Sequence, residues 1–322
     1  MRATISHTRG ASGGLLKMRA FASFVLLFLF FNANADEPSP TAIAAKLNGE
    51  PILAAEIEAQ FRLTYGDRKF SAAERSQLLR AALDLAIDRR LVFASLAKTG
   101  QAVGKEDVDS ELVKLDKELK AQGSSLAQHS EQSGFTPSDI RRSVAWKLSW
   151  QRYCEKQLTP QNLEKYFERN RRDFDGTQLH IAQLLFKLAA DSGEQAIAEA
   201  KQRAAELRQQ IAAGKSTFAA AAKQHSEAPS RENGGDIGWI ERHRPMPEGF
   251  SQAAFALKKG EISEPVVNSF GVSLITVLDE KSGTRTWRDA ESELRPAVTL
   301  YLLRFLADKE RTAAKIEYVA MP

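Results

Sequence analysis

The sequence predicts an α+β protein: a helical body into which a compact module of order β-α-α-β-α-β-β is inserted. Three observations predict it. Between residues 54 and 172 apolar side chains recur at helical spacing, as in Leu79, Leu83, Ile87 and Leu91. At about Thr177 this gives way to short strand-like runs punctuated by glycines. Beyond Ser282-Gly283-Thr284 one long helical pattern returns. The 322 residues suit two domains better than one.

In chain order, the first element is an expected export signal over residues 1–35. Lys17 and Arg19 precede the apolar run Phe21–Phe31, and Ala33-Asn34-Ala35 supplies a small-x-small cleavage site. The run is shorter than the roughly 20 residues that cross a bilayer. The alternative is an uncleaved anchor, the chain's one expected membrane contact. A start at Met18 gives a more compact signal than one at Met1.

Ala44–Leu47 and Pro51–Leu53 flank Asn48-Gly49, a tight-turn pair, so a small hairpin is expected. Ser71 with Glu74 makes a capping box for a helix reaching Gly100. A second amphipathic helix covers Asp107–Ala121. Thr136-Pro137 opens a third helix, running to Leu158, and Thr159-Pro160 opens a fourth. Leu179–Lys187 reads as a strand, Gly193–Ala213 and Phe218–His225 as helices, and Asn233-Gly234-Gly235 as a loop. A helix near Phe250–Leu257 and strands at Glu264–Val267 and Val272–Leu278 complete the module. The last helix, Trp287 to about Lys315, is expected to break at Pro296. It should bury Tyr301, Leu302, Phe305 and Leu306 on the N-terminal helices, with Ile316–Val319 adding a strand to the first hairpin. The expected domains are therefore 36–175 with 284–322, and 176–283.

Composition excludes several function classes. The formal net charge is +4, but residues 1–35 carry four basic and no acidic residues, so the remainder is neutral. A nucleic-acid binder keeps a basic patch, so no nucleic-acid partner is expected. Cys154 is the only cysteine, which rules out an intrachain disulfide. Gly214-Lys215-Ser216-Thr217 looks like the end of a phosphate loop, but Gln209 replaces the required glycine and a helix precedes it, so no nucleotide is expected. His7, His129, His180, His225 and His243 show no metal-ligand spacing, and no Gly-x-Ser-x-Gly elbow exists. No cofactor and no metal are implied.

Residues 177–280 resemble the parvulin prolyl isomerases. The likeness is carried by Gln183-Leu184-Leu185-Phe186-Lys187, the Phe218–Ser226 helix, Asn233-Gly234-Gly235-Asp236-Ile237-Gly238-Trp239, Met246 with Phe250, Ala254–Val266, and Phe270-Gly271-Val272-Ser273. The flanking helices look like those of SurA-like and PrsA-like folding factors. The resemblance implies a prolyl isomerase and chaperone in the periplasm or cell envelope, whose partners are unfolded exported polypeptides with X-Pro bonds. It implies an apolar cup for the proline ring at Ile237, Met246 and Phe250. It also places Gln183 and Ser273 where active relatives carry histidines, and Ala228 where they carry cysteine or aspartate. Glu227, beside Ala228, is expected to face solvent, with a stand-in carboxylate as the alternative. A shifted register would put His180 at the first histidine position, and otherwise His180 is expected on the strand face opposite Gln183. The departures keep two alternatives open: a non-enzymatic chaperone that only binds unfolded polypeptide, and a structural envelope protein.

Overall fold

In the computed structural model, residues 42–319 are described, apart from 67, 71, 134, 190 and 191. The expected signal segment and the Ser71 half of the expected capping box lie outside the described residues.

Strands β1 (Ile43–Leu47) and β2 (Glu50–Leu53) form the expected hairpin. Its turn places Asn48 and Gly49 at φ of 52° and 89°, the left-handed backbone that Asn-Gly tolerates best. Seven helices follow: α1 (Ala54–Tyr65), α2 (Ala72–Lys98), α3 (Lys105–Ala121), α4 (Leu126–Ser133), α5 (Pro137–Gln157), α6 (Pro160–Arg169) and α7 (Arg171–Phe174). Threonines start two of them. Thr136 accepts from the Asp139 N–H while Asp139 accepts from the Thr136 N–H, and Thr159 accepts from the Asn162 N–H. Leu79, Leu83, Ile87 and Leu91 of α2 are all buried against the hairpin and α1.

The inserted module consists of β3 (Gln178–Lys187), α8 (Glu194–Ala212), α9 (Phe218–His225), β4 (Asp236–Glu241), α10 (Glu248–Phe255), β5 (Val266–Asn268) and β6 (Gly271–Lys281). Its antiparallel sheet has the order β4-β3-β6-β5. Alternation along β3 gives the sheet two buried faces. Leu184 and Phe186, with Val272 and Leu274 of β6, pack under α8 and α9. Leu179 and Ile181, with Ile275 and Val277, pack under Phe250, Ala254 and Phe255 of α10. The strand expected from Glu264 starts instead at Val266, because Pro265 has no N–H to give to a ladder.

After the module the chain returns to the helical body. Helix α11 (Glu291–Arg311) buries Leu294 and Val298 against Leu163 and Phe167 of α6, and Leu303 and Ala307 against Val92 and Leu96 of α2. Strand β7 (Ile316–Tyr318) then pairs antiparallel with β1, giving a sheet of order β2-β1-β7.

Two expectations for this helix fail. It starts at Glu291 and runs on through Pro296, which lies in its second turn between the buried Leu294 and Val298. Packing on both sides holds the helix across the one hydrogen bond that proline cannot make. Tyr301 and Phe305 are not buried on the N-terminal helices; they are 44% and 54% exposed, because the packed stripe is Leu294, Val298, Leu303 and Ala307. Tyr301 stacks on Phe305 and leans on Tyr166 of α6, forming an aromatic ridge.

Helix α7 fastens the module to the body. Arg172 donates to the carbonyls of Phe255 and Leu257 at 2.7 and 2.6 Å and to the Glu280 carboxylate at 2.6 Å. No described helix is long and apolar enough to cross a membrane.

Candidate functional site

The site is built on the α10 side of the sheet. Gln183 shares its face of β3 with Leu179 and Ile181 by alternation. Leu185 pairs with Ser273 and Gln183 with Ile275, so Gln183 and Ser273 are diagonal neighbours across two strands. A glutamine side chain spans that gap, and its amide Nε2 donates to the Ser273 Oγ over 3.1 Å. Both residues are buried, Ser273 completely. A buried polar group without a partner costs ~1–3 kcal/mol, so this pairing is what allows them to sit in an apolar layer.

Gly235 sets the backbone beside Gln183. Its carbonyl accepts the Gln183 N–H at 2.8 Å, its φ is +87°, and a Cβ there would lie 2.4 Å from the Gln183 carbonyl oxygen. Only glycine fits such an approach.

The three apolar residues lie in one cluster. Ile237 at the start of β4 and Met246 before α10 pack against the cluster that contains Phe250. Their exposure differs from that of an open cup. Ile237 and Met246 are half-buried at the rim, whereas Phe250 is the 0%-exposed floor. Of the three, only Met246 and Ile237 are reachable from solvent. Two surface hollows lie elsewhere, one lined by Phe186, Arg203 and His225, the other by Gln178, Trp239 and Arg244.

Ala228 is buried in the segment that follows α9. That segment takes the place of β4 beside the end of β3: Glu227 N–H donates to the Leu185 carbonyl, and the Ser226 Oγ accepts from the N–H groups of Leu185 and Ala228. Glu227 faces solvent and not Gln183. It is exposed, and its Oε2 accepts the Lys187 N–H at 2.6 Å. His180 does not join the site either. It occupies the other face of β3, within 2.8 Å of the Asp236 carboxylate and stacked on Trp239.

One residue escaped the sequence reading. Asn268, at the end of β5, donates from Nδ2 to the Ser273 Oγ at 3.0 Å, while its Oδ1 accepts the Phe270 N–H at 2.9 Å. The Asn-Ser-Phe-Gly turn is the signal that could have found it, since asparagine at such a place bonds the backbone two residues on.

Charge is confined to the rim. Arg242, two strides from Met246, bonds both oxygens of Glu248 and lies 3.6 Å from Asp173 of α7. The Arg242 hydrogen bonds hold the Glu248 carboxyl below its ordinary range, whereas burial raises that of Asp173. Among the described residues no cluster of acidic, histidine or cysteine side chains could hold a metal ion. The groups that meet at the centre are amides, a hydroxyl and apolar side chains. They offer hydrogen bonds and contact, with no nucleophile and no proton acceptor of tuned strength.

Comparison with known proteins places part of the chain in a family. Residues 180–279 match the family described as the PPIC-type PPIase (rotamase) domain. The chaperone SurA of Chromohalobacter salexigens is 38% identical over 277 residues, covering 83% of this chain and 63% of that protein. The chaperone SurA of Alkalilimnicola ehrlichii is 26% identical over 251 residues, covering 74% and 57%. The chain thus spans about three fifths of the length of these two relatives. The crystal structure of the peptidylprolyl isomerase PrsA from Bacillus anthracis is 21% identical, covers 72% of this chain and 96% of its own, and superposes with a TM-score of 0.36. Residues 180–279 therefore belong to the PPIC-type, parvulin-fold family of peptidyl-prolyl isomerase domains, carried on a SurA-like chain.

Proposed function

We propose that this chain is an exported folding factor of the cell envelope that catalyses cis–trans isomerisation of X-Pro bonds and holds unfolded polypeptide on its helical body. Rotation about an X-Pro bond must break amide resonance. That barrier makes uncatalysed exchange take tens to hundreds of seconds, slow enough to limit folding. Lowering it needs no cofactor, only a grip on the ring and polar groups that favour the twisted amide over the planar one. The observation that carries this reading is the buried Gln183–Ser273 hydrogen bond lying on the same face as the Ile237–Met246–Phe250 cluster.

Holding is supported by the ridge on α11, where the exposed rings of Tyr301 and Phe305, backed by the half-buried Tyr166, suit apolar segments of a chain that has not yet folded. Export is supported by the signal pattern around residues 17–35.

A second reading, client binding without isomerisation, is favoured by one observation: Phe250 is shut off from solvent while the usual histidine positions hold Gln183 and Ser273. A protease-free exchange assay on an Ala-Pro peptide separates the two. A rate above background at micromolar protein, lost in Met246→Ala with client holding intact, supports the isomerase. Holding by the wild type with no exchange at all leaves only the second reading.

A further inference from the structure

Around Ser273 the hydrogen bonds are lopsided. Its hydroxyl oxygen has two lone pairs, and two amide N–H groups point at it: Gln183 Nε2 at 3.1 Å and Asn268 Nδ2 at 3.0 Å. The Asn268 end cannot be turned round. Its Oδ1 already accepts the backbone N–H of Phe270, which can only donate, so the NH2 group must face Ser273. In this arrangement Gln183 Nε2 and Asn268 Nδ2 occupy both lone pairs, so the Ser273 proton points away from them, and no described hydrogen bond receives it. The side chain is fully buried on the face shared with Phe250 and Ile275.

From this we infer that Asn268 is a positioning residue: it locks the Ser273 hydroxyl as a pure donor aimed into the proline site, where it meets the prolyl nitrogen as the amide twists. The inference rests on the isomerase reading above and deepens it. A planar amide delocalises its nitrogen lone pair and offers no acceptor there. Twisting localises that pair, so a donor held in place binds the transition state and not the ground state. No bond forms or breaks in the step, and Ser273 keeps its proton. Gln183 is the second brace and Asn268 the decisive one, because its orientation is set by a backbone group.

A consequence is that the machinery has nothing to titrate. The residues paired or hydrogen-bonded with Ser273 from β3 and β5 (Leu185, Gln183, Val266 and Asn268) are uncharged, as are Phe250 and Ala254 of α10 on the same side of the sheet. Charged groups elsewhere in the module are Lys187 and Glu227 at the end of β3, the latter bonded to the Lys187 N–H, and the Arg242–Glu248 pair beside Asp173. His180 lies on the opposite face of the sheet beside Asp236.

The test is Asn268→Asp, which swaps the Nδ2 donor for an acceptor while leaving Oδ1 to Phe270. The ionised carboxylate draws the Ser273 proton to itself and away from the proline site. We expect kcat/KM for an Ala-Pro peptide, read by protease-free exchange on the full chain, to fall about tenfold or more at neutral pH. It should recover as pH is lowered through the range of the new carboxyl, whose protonated form donates again. Asn268→Ala frees the hydroxyl to rotate and should lower kcat with KM unchanged and no new pH dependence. Wild-type kcat/KM should stay level between about pH 5.5 and 8.5, where an imidazole would titrate. Asn268→Asp with wild-type activity at neutral pH overturns the inference, as does a loss that persists at low pH in a protein with unaltered melting. If Asn268→Asp does not melt cooperatively, Asn268→Ala decides: a raised KM at unchanged kcat overturns it. A wild type without activity sinks the isomerase reading itself, an outcome separate from an active wild type indifferent to residue 268.

Discussion

Arg242 clasps the Glu248 carboxylate with both terminal nitrogens, at 2.9 and 2.6 Å, and so ties the end of β4 to the first residue of the helix that carries Phe250. Because Arg242 holds the Glu248 carboxyl below its ordinary value, the pair stabilises the fold above the usual glutamate range, near pH ~4.3, and that contribution is lost as pH falls through the folded value. Asp173 has the opposite sign: burial raises it, so its ionisation costs stability as pH rises. The wild type should therefore melt above Glu248→Gln at neutral pH, with the gap closing toward pH ~3. A gap that does not change with pH counts against the pairing.

Phe250 and Met246 should separate stability from activity. Phe250→Ala empties a fully buried site and should cost about 3–5 kcal/mol in urea unfolding. Met246 lies at the rim, so Met246→Ala should cost less stability while lowering kcat/KM more than any loss of folded protein explains. Equal stability losses for the two would place Met246 in the core and not in the cup.

The ridge on α11 offers a test of client holding. Tyr301→Ser with Phe305→Ser removes two exposed rings, so melting should change little. Suppression of aggregation of a denatured client should weaken clearly, while isomerisation of a short peptide stays as it was. Unchanged holding would move the client surface elsewhere.

Cys154 should be inert in the folded chain. It is buried on α5, and burial pushes its thiol up to about 11, so almost no thiolate exists at neutral pH. Alkylation by iodoacetamide at pH ~7.5 should follow the unfolding rate. Rapid labelling without denaturant would contradict the burial of Cys154.

Much of this was legible in the residues, for identifiable reasons. The Thr-Pro starts at Thr136 and Thr159 and the spacing of Leu79 to Leu91 are local signals that tertiary packing reinforces. Thr217, which looked like part of a phosphate loop, caps α9 by accepting the Ala220 N–H. What could not be read was the identity of the neighbour. Periodicity marks an apolar stripe but not what covers it, so Tyr301 and Phe305 looked no different from Leu303. Helix α4 (Leu126–Ser133) lacks an apolar repeat long enough to announce itself. Asn268 depends on β5 pairing with β6, a contact made by a turn whose hydrogen bonds no single residue declares.

The pairing of β7 with β1 has a consequence for biogenesis. Strand β1 stays one partner short until residues 316–318 are made, with the whole inserted module between them in the chain. Closing so large a loop is slow. The module, whose strands all lie within residues 178–281, can therefore be finished while the body that carries it is still open.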